Sequence, residues 1–339
     1  MHLKNKNILF SCDGIEGFKE NIMHALLKNF NYVEYIDSDM PEKKERSLSF
    51  KIIRELQRKT NLKFIKNSFN EKLEIHHKKI IKNLISKYDY FFVIAGKEFS
   101  SNFIKKLKKE NPDLKCVLFL WDKFENTSLK SSASEFDYIF TFDREDAKNY
   151  GFIFRPSFFL DACQNKVIVW NERLYSMFYI GALRSKERYE KVSSIYHSIQ
   201  DDKLKINSFI KLLCNKKNKQ FIPKKYNETL ITNKKIAYLD TLEMTRKSRV
   251  ILDLPHENQI GLTLRVFEAL ATRTKIITTN KDILNYDFFH PENILVIDNS
   301  TQKIDNDFFE RPYKKIPKNI IDKYSTNGFI LDIFSKIEQ

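Results

Sequence analysis

A succession of short apolar segments constrains this chain more than any other feature. Residues 90–95 form a continuous apolar run of strand length, which is typical of a strand covered on both faces. Residues 99–109 carry apolar side chains at helical spacing, and the pattern stops before Pro112. Residues 116–121 and 138–142 repeat the strand pattern. Strands that alternate with helices predict a parallel sheet with right-handed crossovers.

The same alternation extends over both halves of the chain, so the predicted fold class is α/β. The further predicted elements are strands at 7–10, 32–36, 178–180, 205–213, 250–254, 275–278 and 294–297, and helices at 21–30, 187–198, 239–246, 262–271 and 320–337. We predict an N-terminal Rossmann-like domain over residues 1–160 and a C-terminal one over 161–315. A closing helix within 316–339 would follow them.

Hydropathy and cysteine usage exclude several classes of protein. No apolar run approaches the roughly 18–20 residues of a membrane span. Residues 1–6 lack the apolar stretch of a signal peptide. The four cysteines lie far apart with no CxxC pair, which predicts reduced thiols and neither a disulfide framework nor a zinc site. We therefore expect a cytoplasmic protein.

The chain carries a formal net charge of +15, from 59 Lys and Arg against 44 Asp and Glu. Such a charge could favour binding to nucleic acid, but the lysines are spread along the chain and no nucleic-acid-binding motif accompanies them. It could also serve an anionic substrate or an acidic membrane surface, where each nearby basic residue adds about 1 kcal/mol. Solvated surfaces of a lysine-rich sequence are a third interpretation, and the residues leave the last two open.

Ligands of open α/β sheets bind beyond the carboxyl ends of the strands, and this rule selects the candidate residues. In the first half it selects Asp13 with Gly14, Gly96 with Lys97, Asp122 with Lys123, and Asp143. In the second half it selects Gly181 with Arg184, Ser185 and Arg188, the segment from His256 to Thr263, and Thr279 with Asn280.

The turn that begins at Gly181 follows a predicted strand and leads into a predicted helix. A glycine lets the backbone approach a ligand closely, and a helix N-terminus offers free N–H groups to an anion. Arg184 and Arg188 could each hold two oxygens of a phosphate, with Ser185 between them. The turn is therefore a candidate phosphate site, although a plain strand-to-helix turn with solvated arginines fits the same residues.

Three polar residues mark the start of the predicted helix at 262–271, namely Thr263, Arg265 and Glu268. Thr263 and Arg265 could meet an anion at that end of the helix. The Glu268 carboxylate accepts through two oxygens, which suits a vicinal diol such as a ribose. It could equally stabilise the helix dipole or pair with Arg265, and composition does not separate these interpretations.

The run from Gln259 to Leu270 resembles a bacterial family of GT-B-type glycosyltransferases of lipopolysaccharide and capsular polysaccharide biosynthesis. Further motifs extend the resemblance over roughly residues 5–300, namely Leu120, Trp121 and Asp122 with Asn126, and residues 136–138, 142–147, 276–280, 286–288 and 293–294. The resemblance implies a GT-B fold, in which two Rossmann-like domains face a central cleft. It also implies a C-terminal helix that crosses back to the first domain.

The resemblance further implies roles for the residues that match its motifs. Glu268 would hold the ribose of a nucleotide-sugar donor, while Gly261, Thr263 and Arg265 would face the diphosphate or the sugar. The other members of the predicted donor site are Gly181, Arg184, Ser185, Arg188, His256, Gln259 and Leu262.

The turn after Gly181 departs from the family in one respect. Arg184 and Arg188 would neutralise the leaving diphosphate, but the histidine that family members often carry near Arg184 is absent here. His256 lies in the donor loop and could contact sugar or phosphate, or equally lie exposed on the surface.

Glycosyl transfer from a nucleotide sugar leaves a nucleoside diphosphate, whose growing negative charge must be stabilised. GT-A enzymes use a divalent metal on a DxD motif for this purpose, whereas GT-B enzymes usually use basic side chains and a helix N-terminus. The chain contains Asp37, Ser38 and Asp39, early for such a motif, and we interpret them as a chance match or a helix cap. We therefore expect no metal and no other cofactor.

An inverting enzyme also needs a base in its N-terminal half to deprotonate the acceptor hydroxyl. Asp13, on the turn after the first strand, is the first candidate, and Asp122 is the second. Asp122 could instead orient Trp121 or a loop. An enzyme that retains configuration would need no such base.

The sequence thus predicts a metal-independent glycosyltransferase that moves a sugar from a nucleotide-sugar donor to an oligosaccharide or lipid-linked surface glycan. Basic residues at 43–46 and 105–109 would hold it near the acidic inner face of the membrane. The main alternative is a non-catalytic partner of an envelope-glycan synthesis complex. A basic nucleic-acid-binding protein is less favoured, and the lack of GxGxxG after the first strand disfavours a dinucleotide-dependent oxidoreductase.

Overall fold

The computed structural model describes residues 3–12, 17–37, 74–94, 99–164, 167–199, 204–205, 207–256, 259–298 and 304–339. The chain divides into two compact units. Unit 1 comprises Met1–Arg155 and Ile333–Gln339, and unit 2 comprises Pro156–Asp332. Each unit contains one six-stranded sheet in which all the pairs of neighbouring strands run parallel. The predicted α/β class with two parallel sheets is confirmed.

The sheet of unit 1 has the strand order β2-β1-β3-β4-β5-β6. Its strands are β1 (Asn7–Cys12), β2 (Tyr32–Tyr35), β3 (Tyr90–Ile94), β4 (Lys115–Leu120), β5 (Tyr138–Thr141) and β6 (Ile153–Phe154). The helices described in this unit are α1 (Phe18–Asn29), α2 (residues 74–83), α3 (Ser101–Glu110) and α4 (Arg144–Tyr150). All residues of β3 are buried, as the continuous apolar run predicts.

Helix α3 shows how local sequence sets these elements. Ser100 caps its first turn, because the Ser100 hydroxyl accepts a hydrogen bond from the Phe103 N–H at 3.1 Å. Phe103, Ile104 and Leu107 fall on one face of the helix and are buried. They belong to the same apolar core as Phe91 of β3. The helix thereby covers one face of the sheet.

The sheet of unit 2 has the strand order β12-β11-β10-β7-β8-β9. Its strands are β7 (Tyr175–Ala182), β8 (Phe209–Leu213), β9 (Ile231–Thr232), β10 (Ser248–Asp253), β11 (Lys275–Thr278) and β12 (Ile294–Val296). Its described helices are α5 (Lys186–Ser198), α6 (Tyr238–Arg246), α7 (Leu264–Thr272), α8 (Asn306–Glu310), α9 (Lys318–Lys323) and α10 (Thr326–Ile337). Apolar side chains of α5 and of the central strands form one core, to which Val192, Tyr179 and Val250 belong.

The prediction of one closing helix over 320–337 is wrong, because the chain forms α9 and α10 with a break between them. At the break the Phe159 N–H donates to the Tyr324 carbonyl at 2.9 Å. The Thr326 hydroxyl donates to the Phe159 carbonyl at 3.0 Å. At this point the chain therefore bonds to Phe159, and the hydrogen bonds of a continuous helix are interrupted.

Several smaller elements differ from the sequence pattern or are missed by it. Helix α7 begins at Leu264 and not at Leu262, because Leu262 is buried in the preceding loop and Thr263 is the N-cap. Helix α4 and the two-residue strands β6 and β9 are not predicted at all. Such short strands carry too few residues to show a periodic pattern.

Helix α10 contributes to both units, since the division between them falls after Asp332. Within unit 2, the ring of Phe329 packs against Phe158 with centroids 4.2 Å apart. Within unit 1, the ring of Phe334 packs edge-on against Phe30 and Tyr90, each at 4.9 Å. Across the described part of the chain, none of the helices has the length and apolarity that a membrane crossing requires.

Candidate functional site

Three neighbouring strands of unit 2 end at the same side of their sheet, which we call the carboxyl edge. Strand β7 ends at Ala182, directly after Gly181, while β10 ends at Asp253 and β11 at Thr278. Among the predicted donor residues, Gly181 lies at the end of β7, and the others follow β7 or β10 in the chain. They are therefore brought to one edge of one sheet, the edge at which such sheets bind ligands.

Asp253 fixes the start of the segment that follows β10. Its carboxylate is buried and accepts from the Thr263 hydroxyl at 2.7 Å and from the Thr278 hydroxyl at 2.9 Å. Thr263 is the N-cap of α7, but its side chain makes no hydrogen bond to the first turn of that helix. The hydroxyl is used to hold the helix start against the sheet.

The loop before α7 is held by side-chain amides. The Gln259 amide donates to the Gly261 carbonyl at 2.9 Å, and the Asn280 amide donates to the Ile260 carbonyl at 2.7 Å. Gly261 and Leu262 are buried, whereas His256 at the start of the loop is exposed. A contact between His256 and sugar or phosphate stays a prediction.

Glu268, in the second turn of α7, is 3% exposed. Its Oε1 accepts from the Tyr238 hydroxyl of α6 at 2.6 Å. Burial raises the pKa of the Glu268 carboxyl above its ordinary value, although the Tyr238 hydrogen bond and the nearby charge of Arg265 act to lower this pKa. In turn, burial and the neighbouring Glu268 raise the pKa of the Tyr238 phenol. The Tyr238 phenol therefore keeps its proton at neutral pH and donates it in the hydrogen bond to Glu268.

Two arginines of the predicted donor site bind backbone carbonyls at the carboxyl edge. Arg265 Nη2 donates to the Ile180 carbonyl of β7 at 2.9 Å. Arg188 of α5 donates through Nη2 to the Leu254 carbonyl at 2.7 Å and through Nη1 to the Pro255 carbonyl at 3.3 Å. Both guanidinium groups are half-buried, and they tie the connections after β7 and β10 together.

The turn between β7 and α5 leaves one arginine at the surface. Ser185 is the N-cap of α5, and its hydroxyl accepts from the Arg188 N–H at 3.2 Å. Arg184 is exposed. Gly181 has no room for a side chain, because an added Cβ would lie 2.8 Å from Cζ of Tyr179 and closer still to its hydroxyl. Tight packing against Tyr179 therefore explains why position 181 is occupied by a glycine.

The candidate bases lie in unit 1. Asp122 follows β4 and is exposed, next to Trp121, whose ring meets Phe18 edge-on with centroids 5.3 Å apart. Asp13 lies outside the described residues. Of the sequence Asp37, Ser38 and Asp39, only Asp37 is described. In the described ranges no cluster of three or more His, Cys, Asp and Glu side chains is placed to hold a metal ion.

Sequence reasoning misses three residues that shape this edge, namely Tyr238, Tyr179 and Thr278. Tyr238 meets Glu268 from thirty positions away in the chain, so no local pattern shows the pair. Tyr179 and Thr278 lie inside predicted strands, where they pass for ordinary strand residues. Their shared position near strand ends is the signal that could have selected them.

Comparison with solved structures identifies the fold. An alpha-glucosyltransferase in complex with UDP-glucose and DNA containing an abasic site superposes with a TM-score of 0.62 at 15% identity, covering 99% of this chain and 100% of that one. The alpha,alpha-trehalose-phosphate synthase (UDP-forming) from Burkholderia xenovorans, in complex with glucose-6-phosphate, gives a TM-score of 0.57 at 9% identity, covering 99% and 100%.

The same architecture also occurs in an enzyme of another class. The UDP-GlcNAc 2-epimerase from Methanocaldococcus jannaschii gives a TM-score of 0.51 at 13% identity, covering 97% of this chain and 99% of that one. No protein-family model and no curated protein sequence matches the chain. The predicted GT-B fold class is confirmed by these structures, whereas their low identity leaves the activity to be argued from the site.

Proposed function

We propose that the protein is a glycosyltransferase that uses a nucleotide-sugar donor. The observation that carries this proposal is the placing of Thr263, Arg265 and Glu268 at the start of one helix, at the carboxyl edge of the unit 2 sheet. A cation and a carboxylate so placed match the two parts of a nucleotide sugar, its diphosphate and its ribose. The folds of the UDP-glucose and trehalose-phosphate enzymes support the same class.

Glu268 would bind the ribose. Its Oε1 is held by Tyr238, which fixes the orientation of the carboxyl group before any ligand arrives. The remaining oxygen, Oε2, would meet the ribose hydroxyls. Preorganisation of this kind lowers the conformational entropy lost on binding.

The leaving diphosphate would be neutralised by guanidinium groups. Arg265 and Arg188 already lie at the carboxyl edge, fixed by carbonyl acceptors, and Arg184 stands exposed on the adjoining turn. Fixed positive groups that face a leaving group stabilise the charge that grows there in the transition state. The proposed reaction therefore needs no metal ion. The acceptor hydroxyl would lose its proton to Asp122 or Asp13 if the reaction inverts configuration.

A thermal-shift series with UDP, GDP, CDP, CMP and ADP and their sugars tests the donor site. A ligand at about 100 times its dissociation constant should add about 2.7 kcal/mol to the free energy of unfolding. We expect one nucleotide to shift the melting temperature, with the shift unchanged by EDTA and lost in Glu268→Ala. The control is Glu190→Ala, which removes an exposed carboxylate from α5 of the same unit. A folded protein that no nucleotide shifts would instead support the non-catalytic partner.

We propose a surface glycan as the acceptor, held on a lipid at the acidic inner face of the membrane. The described basic stretch gives this location limited support, because Lys105, Lys106 and Lys108 pair with Glu135, Glu74 and Asp137 at 3.3, 3.4 and 2.7 Å. The stretch at 43–46 lies outside the described residues. Salt-sensitive binding to anionic vesicles but not to neutral ones is expected, and equal binding to both would exclude this location.

DNA is a second candidate acceptor, favoured by two specific observations. The net charge is +15, and one structure of the same fold is an alpha-glucosyltransferase bound to DNA. Transfer of radiolabelled sugar to duplex DNA, against transfer to a lipid-linked glycan, separates the two acceptors. Binding to random duplex that falls steeply with salt, without any transfer, would indicate electrostatic attraction alone.

A further inference from the structure

Tyr179 is a buried tyrosine whose hydroxyl has no hydrogen-bond partner. The side chain is 0% exposed and belongs to the apolar core of unit 2, yet its hydroxyl oxygen neither donates nor accepts. Two other tyrosines of the unit use their hydroxyls: Tyr189 accepts from the Asn227 N–H at 2.7 Å, and Tyr238 donates to Glu268. A buried polar group without a partner is destabilising, so a phenylalanine would suit a purely apolar position better.

The unpartnered hydroxyl reaches the carboxyl edge. Tyr179 and Gly181 lie two residues apart on β7, so they point to the same face of the sheet. The hydroxyl lies against Gly181, since an added Cβ at position 181 would meet Cζ of Tyr179 at 2.8 Å and the oxygen sooner. Strand β7 ends one residue after Gly181, and α5 begins at Lys186.

Positive charge surrounds the same strand end. The guanidinium carbon of Arg265 lies 5.8 Å from the centroid of the Tyr179 ring, and Arg265 Nη2 is bonded to the Ile180 carbonyl between the tyrosine and the glycine. The N-terminus of α5, capped by Ser185, adds the partial positive charge of a helix of 13 residues. A hydroxyl donor in this setting suits an anionic oxygen acceptor.

We propose that the Tyr179 hydroxyl, which lies against the side-chain-free Gly181 at the strand end, donates a hydrogen bond to an oxygen of the donor's diphosphate. This inference rests on the proposed nucleotide-sugar site and adds to it a binding residue from inside the sheet. Tyr179 is thereby a binding residue for the leaving group, and its orphaned hydroxyl is satisfied only when the donor is bound.

Calorimetric titration of the full chain with the tightest of UDP, GDP, CDP and ADP tests this inference. The variant is Tyr179→Phe, which keeps the ring and removes only the hydroxyl oxygen. The control variant is Tyr189→Phe, which removes a hydroxyl that serves the fold. The parent nucleoside, measured by ligand-observed NMR, serves as the ligand without phosphates.

We expect Tyr179→Phe to bind the nucleoside diphosphate about tenfold more weakly, as the loss of one hydrogen bond to a charged group implies. Its affinity for the nucleoside and its melting temperature without ligand should not fall. Tyr189→Phe should melt earlier but bind the nucleoside diphosphate as the wild type does.

Two results would overturn the inference alone: unchanged diphosphate affinity in Tyr179→Phe, or an equal loss for nucleoside and diphosphate. A wild-type protein that binds none of the four nucleoside diphosphates would overturn the proposed function, and this inference with it. The two failures are therefore distinguishable.

Discussion

The two edges of the unit 2 sheet use the same residue type for different purposes. At the amino edge, where β10 and β11 begin, Arg173 is 6% exposed and both of its Nη atoms are fully engaged. Their acceptors are the Ser248 carbonyl at 2.5 Å, the Thr274 hydroxyl and the Thr272 carbonyl at 2.9 Å, and the Arg273 carbonyl at 3.0 Å. At the carboxyl edge Arg265 and Arg188 are half-buried and bond to one and two carbonyls.

A lysine at the amino edge, Lys275, is also buried and bound by groups of the chain itself. Lys275 is 1% exposed, and its Nζ donates to the Phe308 carbonyl at 2.9 Å. The rings of Trp170 and Phe308 lie 5.2 and 4.8 Å from this nitrogen. The acceptors that hold this buried cation all belong to the chain itself.

The comparison teaches how to assign a role to a basic residue in such a sheet. Arg173 closes the C-terminus of α7 through Thr272 and Arg273, so its partners are all supplied by the chain. The carboxyl edge keeps exposed positive charge at Arg184 and an unpartnered hydroxyl at Tyr179. The arginine at the amino edge therefore serves the fold through its two Nη atoms, whereas the carboxyl edge leaves the guanidinium of Arg184 exposed to a ligand.

The largest expected effect is that of Arg173→Met. This substitution leaves the Thr272 and Arg273 carbonyls at the end of α7 and the Ser248 carbonyl without their donor, so we expect the free energy of unfolding to fall by about 3 kcal/mol or more. Urea denaturation followed by circular dichroism measures it. A loss below about 0.5 kcal/mol would show that the amino edge does not depend on this guanidinium.

Gly181→Ala should have the next largest effect. The new methyl group would overlap the Tyr179 hydroxyl, and the tyrosine is enclosed in the core, so we expect a loss of about 2 kcal/mol. The same substitution in a Tyr179→Phe background should cost less, because the nearest atom is gone. Equal losses in the two backgrounds, by thermal unfolding, would mean that another contact excludes the side chain.

Lys275→Met probes the amino edge through pH. Burial lowers the pKa of Lys275 to about 8, from an ordinary value of 10.5. Below pH 8 the amine is charged in both the folded and the unfolded chain, so its burial is fully destabilising there. Between pH 8 and 10.5 the folded chain releases the proton that the unfolded chain keeps, so this penalty disappears as pH rises.

We therefore expect Lys275→Met to be more stable than the wild type by about 1 kcal/mol at pH 7, after allowing for the lost bond to Phe308. This advantage should shrink as pH rises from 8 to 10. Urea midpoints of both proteins at pH 7, 8, 9 and 10 give the difference. An advantage that stays constant with pH would contradict the lowered pKa.

Arg184→Met should have the smallest effect on stability, within about 0.5 kcal/mol, because the side chain is exposed. Its affinity for a nucleoside diphosphate should fall about tenfold if the guanidinium meets the diphosphate. Lys186→Met, which removes an exposed cation two positions away, is the control and should bind normally. Calorimetric titration at low and moderate salt measures both variants.

The sequence predicts the larger elements well because their signals are local. Continuous apolar runs mark β3 and β4, and helical spacing with a serine cap marks α3. The rule for strand ends also places Gly181, Thr263 and Arg265 at one edge of a sheet. Each of these inferences needs only a short window of residues.

The bonds that each side chain makes could not be predicted in the same way. Arg188 bonds to carbonyls 66 and 67 positions away, and Arg173 to partners 75 to 101 positions away. The Thr263 hydroxyl bonds to Asp253, ten positions earlier in the chain, and not to the first turn of its own helix. These outcomes follow from tertiary packing, which outweighs local preference.

Because helix α10 is shared by the two units, unit 1 cannot complete its fold until the end of the chain has been synthesised. The core of unit 1 includes Phe334 against Phe30 and Tyr90, and Glu338 bonds to Tyr90 and Lys115. All of unit 2 is translated between the first and the second part of unit 1. At about 5–20 residues per second, the ribosome needs on the order of ten seconds or more after completing the first part of unit 1 before it adds Ile333–Gln339. During that interval Phe30 and Tyr90 lack their contact with Phe334, so we expect the unfinished N-terminal unit to bind chaperones more readily than the complete chain does.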